Sequence, residues 1–232
     1  MTNPILNRLA GGALLATPVL LFGAMLTSPP QADDSPAGYI SSLAEDWGRS
    51  ILSANLFHYY WVAIALAVPA AITLLRGDRG RVLTTVGVVA TAFGAIQMSG
   101  VLFADWMNAA MPSAVTLDQA VAVFTKINDD PSMILWLRTG VILGIVMPAV
   151  LMAGLARNGV IGWWAAPVAL LPMIAGPVAG GMITPVAGSL VGALCCAPLA
   201  LVGLRLMRRA ATPAVSVPEL APIGSPLTSN DR

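Results

Sequence analysis

Long apolar runs alternate with short polar patches along this chain. A helix needs about 20 predominantly apolar residues to cross a bilayer, and runs of that kind cover residues 9–26, 55–75, 82–104 and 133–156. Residues 161–204 carry no charged side chain at all. That stretch is too long for one span, and a tight turn between Gly176-Pro177 and Gly180-Gly181 divides it into spans at 161–178 and 183–204. The expected fold is all-α: a polytopic six-transmembrane-helix bundle within residues 1–210. Residues 211–232, rich in proline, serine and threonine, are expected to be a disordered tail.

Two connecting segments have helical patterns of their own. Ile40, Leu43, Trp47 and Ile51 recur every three or four residues, which suits a helix lying flat on the membrane surface. Thr116-Leu117-Asp118-Gln119 has the form of a capping box and precedes Val121, Phe124 and Ile127.

Charge assigns a direction to these spans. Arg8, the group Arg76, Arg79 and Arg81, then Arg157, and finally Arg205, Arg208 and Arg209 flank alternate ends of the runs. The opposite ends carry Asp33, Asp34, Glu45 and Asp46, and later Asp105, Asp118, Asp129 and Asp130, with Arg49 and Lys126 as the basic exceptions. By the positive-inside rule the arginine side is cytoplasmic, so both termini are expected there. Trp47, Tyr59, Tyr60, Trp61, Trp106 and Trp136 then mark the outer interface, and Trp163 and Trp164 the inner one. Arg8 before an apolar run also has signal-peptide form. The following Thr27-Ser28-Pro29-Pro30 is a poor cleavage site, which favours a retained span.

Composition narrows the class further. Only 10% of the residues are charged and 57% are hydrophobic, too little polarity to coat a soluble globule but sufficient when lipid solvates the rest. Arginine is common while Lys126 is the only lysine, and alanine, valine and glycine abound. That usage suggests a bacterial, GC-rich origin and a multipass inner-membrane location. The basic residues form short membrane-flanking clusters without aromatic interleaving, so no nucleic-acid partner is expected. Cys195 and Cys196 are adjacent in an apolar run and are read as small packing residues.

Helices in lipid pack through small residues. Gly140 and Gly144 have GxxxG spacing, and Gly188, Gly192 and Cys196 form a second stripe. Gly87, Thr91, Gly94, Gln97, Val101 and Asp105 share one helical face that should turn inward. Pro18, Pro69, Pro148, Pro167, Pro172, Pro185 and Pro198 lie within the spans, and Pro167 with Pro172 should bend the fifth.

Ionisable groups near the membrane interior are functional candidates. His58, Asp105 and Arg138 all lie near the outer ends of consecutive spans, where they form a candidate polar site. Gln97, on the Asp105 face, extends that site roughly 12 Å inward at about 1.5 Å per residue. The alternative is a structural belt, in which Arg138 snorkels or pairs with Asp129 or Asp130, and His58 joins an interfacial ring of aromatics.

Several activities lack their residues. One histidine cannot give bis-histidine haem ligation. HExxH, GxSxG and Walker A motifs are missing, as are an arginine ladder and a mid-span carboxylate. The longest loops, residues 27–54 and 105–132, are short for an autonomous domain. No catalytic residue, metal or cofactor is therefore assigned. The expectation is a non-enzymatic accessory, sensor or assembly component, whose partners are the lipid bilayer and a membrane protein or a second copy. The alternatives are a small-solute permease with an outward-facing polar site, and a membrane-embedded enzyme using His58 and Asp105.

Overall fold

A computed structural model describes residues 3–31 and 33–211, so the expected tail at 212–232 lies outside the described residues. The described residues form helices and connecting turns without a strand. Helix α1 is Pro4–Thr27, α2 is Pro36–Glu45, and α3 is Trp47–Ala67, continued as a 3-10 helix to Leu74. Next come α4 at Arg81–Val101 and α5 at Phe103–Ala110, extended by a 3-10 turn through Ser113. Helix α6 is Leu117–Asn128 and α7 Pro131–Val141. A π-helical segment, Ile142–Val146, joins α7 to α8 at Met147–Arg157. The last part holds α9 at Ala165–Val168, α10 at Pro172–Met182, α11 at Pro185–Cys195 and α12 at Ala197–Ala211.

Four helical stretches are long and apolar enough to cross a membrane: Pro4–Thr27, Trp47–Leu74, Arg81–Ser113 and Pro131–Arg157. The pair α11–α12, bent by 43°, makes a fifth if taken as one span. The stretch expected as a span at 161–178 is instead divided between α9 and α10. Proline explains these interruptions. It lacks the N–H that an interior helical residue donates, but it is tolerated in a first turn. Pro69 opens the 3-10 continuation of α3, and Pro148, Pro172, Pro185 and Pro198 each fall in the first two positions of a new helical segment.

Both surface helices form where the local sequence predicts them. Helix α2 buries Ile40 and Leu43, although the apolar periodicity that continues to Ile51 is cut at Asp46, which caps α3. Helix α6 begins at a complete capping box between Thr116 and Gln119.

Small residues set the helix contacts. A Cβ on Gly94 would lie 2.3 Å from the Gly144 amide nitrogen, and one on Gly87 2.4 Å from that of Leu151. Helix α4 thus crosses the π segment and α8 at backbone distance. Gly154 touches the same helix at Thr84. The hairpin α10–α11 closes likewise, with a Cβ on Gly188 2.6 Å from the Gly176 carbonyl oxygen, while Gly192 receives Met25 of α1. Polar links supplement the packing. Ser53 Oγ donates to the Ala24 carbonyl at 2.9 Å, and Arg49 donates to the carbonyls of Leu26 and Thr27 at the end of α1.

The arginine clusters share one end of the bundle. Asn7 meets Thr73 there, Met207 packs on Gly11, and the Asn158 side chain ties the backbone of Arg76 and Arg79 to the end of α8. Trp47, Tyr59, Trp106, Trp136, Trp163 and Trp164 are exposed. Tyr60 and Trp61, expected at the interface, are instead core residues at 3% exposure each. They lie one helical step from Tyr59, on the face of α3 that packs inward, and the Tyr60 hydroxyl lies 3.8 Å from Cys196 Sγ.

The crossing of α4 tolerates no side chain at Gly94. Gly94→Val is expected to destabilise the protein by about 3 kcal/mol or more through overpacking. Gly12, which has nothing within 4 Å of an added Cβ, should accept alanine without loss. Thermal unfolding of the two variants in detergent checks the contrast.

Candidate functional site

The inward stripe of α4 continues directly into a cavity at the opposite, acidic end. Thr91 and Gly94 are buried in the helix crossing. One turn further, Gln97 Nε2 donates to Thr139 Oγ1 at 3.0 Å, while Gln97 Oε1 is buried without a partner among the described residues. Beyond it, Val101 and Asp105 form part of the wall of a cavity of ≈ 330 Å³.

Helices α2 and α6 roof this cavity, and α5 and α7 complete it. Its walls are chiefly apolar, with Met107, Met111, Phe124, Met133 and Leu137 among them. Polar groups gather in one place. The Tyr39 hydroxyl donates to Asp105 Oδ1, and the Asn108 side chain, at 5% exposure, bonds to the same phenol. The Tyr39 and Phe124 ring centroids are 5.7 Å apart. Gln31 and Asp34 lie on the exposed rim.

Asp105 is partly buried and forms no ion pair among the described residues. Burial, and after it the negative charge of Asp105, holds the Tyr39 phenol well above its ordinary value of 10.0. The phenol therefore remains a proton donor at neutral pH. In the adjoining loops Asp33 and Asp130 are held below the usual carboxylate value, mainly by hydrogen bonds from the Ser35 and Ser132 hydroxyls. Both stay ionised and add negative charge around the mouth.

The four sequence candidates occupy separate settings. Asp105 faces the cavity, whereas Gln97 sits beneath it beside Thr139. His58 lies across α4, its Nδ1 2.9 Å from Ser99 Oγ, in a groove of ≈ 290 Å³ shared with Phe103 and Trp106. Arg138 is exposed and forms no ion pair among the described residues. Asp105 and His58 thus open into different spaces, and no Asp105–Arg138 pair forms. The helix-packing candidates are in contact: Gly140 with Gln97 and Met98, Gly144 with α4, Gly188 with α10, and Gly192 with Met25. Among the described residues no three His, Cys, Asp or Glu side chains converge to hold a metal ion.

Tyr39, Asn108, Phe124 and the methionines did not stand out from the sequence. Asp105 and Asn108 are three residues apart, one face of a helix, and that spacing was a legible signal. Tyr39 carries no comparable signal, because it reaches Asp105 across 66 positions of chain. Comparison with protein-family models, with curated proteins and with solved structures finds no match for this chain.

The Tyr39–Asp105 contact anchors α2. Tyr39→Phe leaves a carboxylate oxygen unsatisfied and is expected to cost about 1–3 kcal/mol. The folded-state pKa of Tyr39 is raised, so its contribution is complete below the ordinary value and is lost as pH rises beyond it. The difference in thermal midpoint between wild type and Tyr39→Phe should hold from roughly pH 6 to 9 and shrink above about pH 10.

Proposed function

We propose that this protein is a six-span bacterial inner-membrane protein with both termini in the cytoplasm, acting as a non-enzymatic sensor or accessory component that holds a small apolar ligand at its outer face. The observation that carries this reading is the cavity between the bundle and its two surface helices. Its ≈ 330 Å³ lies within the ~300–1,000 Å³ range of small-molecule sites, and its mostly apolar walls with a few convergent polar groups are what such sites require.

Occupancy would be communicated through the roof. Helices α2 and α6 meet each other and the end of α5, so a ligand between them changes how the roof rests on the bundle. Trp47 and Val123 on the same side are exposed and available to a membrane partner. An acid–base role for His58 with Asp105 has less support, because their side chains engage Ser99 and Tyr39 in separate settings.

A permease is the second reading, favoured by the broken helices. The π segment, the α9–α10 break and the α11–α12 break meet around a cleft of ≈ 20 Å³ beside Tyr60 and Trp61. Discontinuous helices of this kind surround substrate sites in many carriers. The cleft would have to widen and join the outer cavity past Gln97.

Two measurements test the leading reading. With a membrane-impermeant thiol reagent on intact cells, cysteines placed at Ser113 and Asp129 are expected to react directly, and those at Asp78 and Asn158 only after permeabilisation; the reverse pattern would refute the orientation. Solvent extracts of purified wild-type protein should contain a lipophilic small molecule that Ala104→Trp, which fills the cavity, lacks. Identical extracts, combined with solute uptake into proteoliposomes, would favour the permease instead.

A further inference from the structure

The cavity walls specify more than apolarity. Tyr39 occupies Asp105 Oδ1, and Oδ2 has no partner among the described residues. That second oxygen is not sealed inside the protein, since Asp105 is only partly buried and forms part of the cavity wall. A carboxylate withdrawn from bulk water needs a hydrogen-bond donor or a cation to offset its lost solvation. No described lysine, arginine or histidine forms an ion pair with it.

The surroundings select the sign and shape of a partner. Asp34 on the rim, with Asp33 and Asp130 ionised nearby, makes the entrance negative, which concentrates cations and repels anions. Tyr39 and Phe124, in ring contact with each other, line the same cavity as the carboxylate, and ring faces attract ammonium groups. Met107, Met111 and Met133 provide polarizable, adaptable walls for an apolar body.

We propose that this cavity binds an apolar molecule carrying a protonated or quaternary amine, with the ammonium group at Asp105 Oδ2 and the apolar part among the methionines and Phe124. The proposal rests on reading the cavity as a ligand site, and it adds the chemical class. Asn108 orients Tyr39, and Tyr39 in turn orients the carboxylate.

The test uses the full-length protein in phosphatidylcholine nanodiscs at 0.15 M salt, with two probes of nearly identical shape. Benzyltrimethylammonium carries the charge, and neopentylbenzene replaces its nitrogen by carbon. By equilibrium dialysis the cation is expected to bind at least tenfold more tightly than the neutral probe. Asp105→Asn should remove that preference, whereas Asp118→Asn, at the same end but outside the cavity wall, should change it less than threefold. Equal binding of both probes to the wild type overturns the amine assignment and leaves the cavity as a neutral ligand site, a comparison that depends on no variant. An equal effect of the two Asp variants also overturns it, because the attraction would then belong to the surface. Failure of both probes to bind, with Ala104→Trp indistinguishable from wild type, rejects the ligand site itself.

Discussion

The backbone-distance crossing of α4 over the π segment and α8 is the contact on which the rest of the arrangement depends. In lipid, burying one apolar helix against another gains little over leaving it in acyl chains, so stability comes from dispersion contacts at close approach. Gly87 and Gly94 on α4, and Gly154 opposite, let two backbones meet where any side chain would intrude. Their close fit also sets the rotation of α4 about its own axis. With Gly94 turned to the crossing, Gln97 meets Thr139, and Val101 and Asp105 are carried to the cavity at the helix end. The same face is therefore packing at one end and a binding wall at the other.

The second half of the chain is built differently from the first. Helices α10 and α11 are each 11 residues long and lean on each other and on α1 through Gly176, Gly188, Gly192 and Met25. Prolines open both helices and the following α12. The π segment, the α9–α10 break and the α11–α12 break meet beside Tyr60 and Trp61. Backbone groups freed at such breaks must be satisfied within the protein, since acyl chains offer no hydrogen bonds. The interruptions accordingly lie on the inner side, against aromatic residues of α3, where an interfacial position for Tyr60 and Trp61 would have left them uncovered.

Charge organises the two ends for different purposes. At the arginine end, Asn158 ties the Arg76–Arg79 turn to the end of α8 among clustered cations. At the acidic end, Asp34 lies on the rim of a cavity, and Asp105 is drawn partly inside with a tyrosine as anchor. Removing a carboxylate from water without a counter-ion is costly, and proteins retain such groups chiefly where they meet something.

The one-dimensional pattern determined the all-helical class, the sorting of charge to two ends, the capping box of α6, the amphipathic α2 and the small-residue face of α4. Each of these follows from spacing or composition within a short window, where apolar length, helical period and capping chemistry act locally. The site was legible only in part. Asp105 and Gln97 stood on a readable stripe, but the joining of Asp105 to Tyr39, the separation of His58 across α4 and the isolation of Arg138 depend on how distant helices rotate and approach. The broken geometry of residues 161–211 belongs to the same category: proline marks where a helix can break, and packing against α1 and α3 decides how far it bends. Local pattern is set by the neighbours along the chain; the cavity exists only because residues far apart in sequence are brought together by close packing of their backbones.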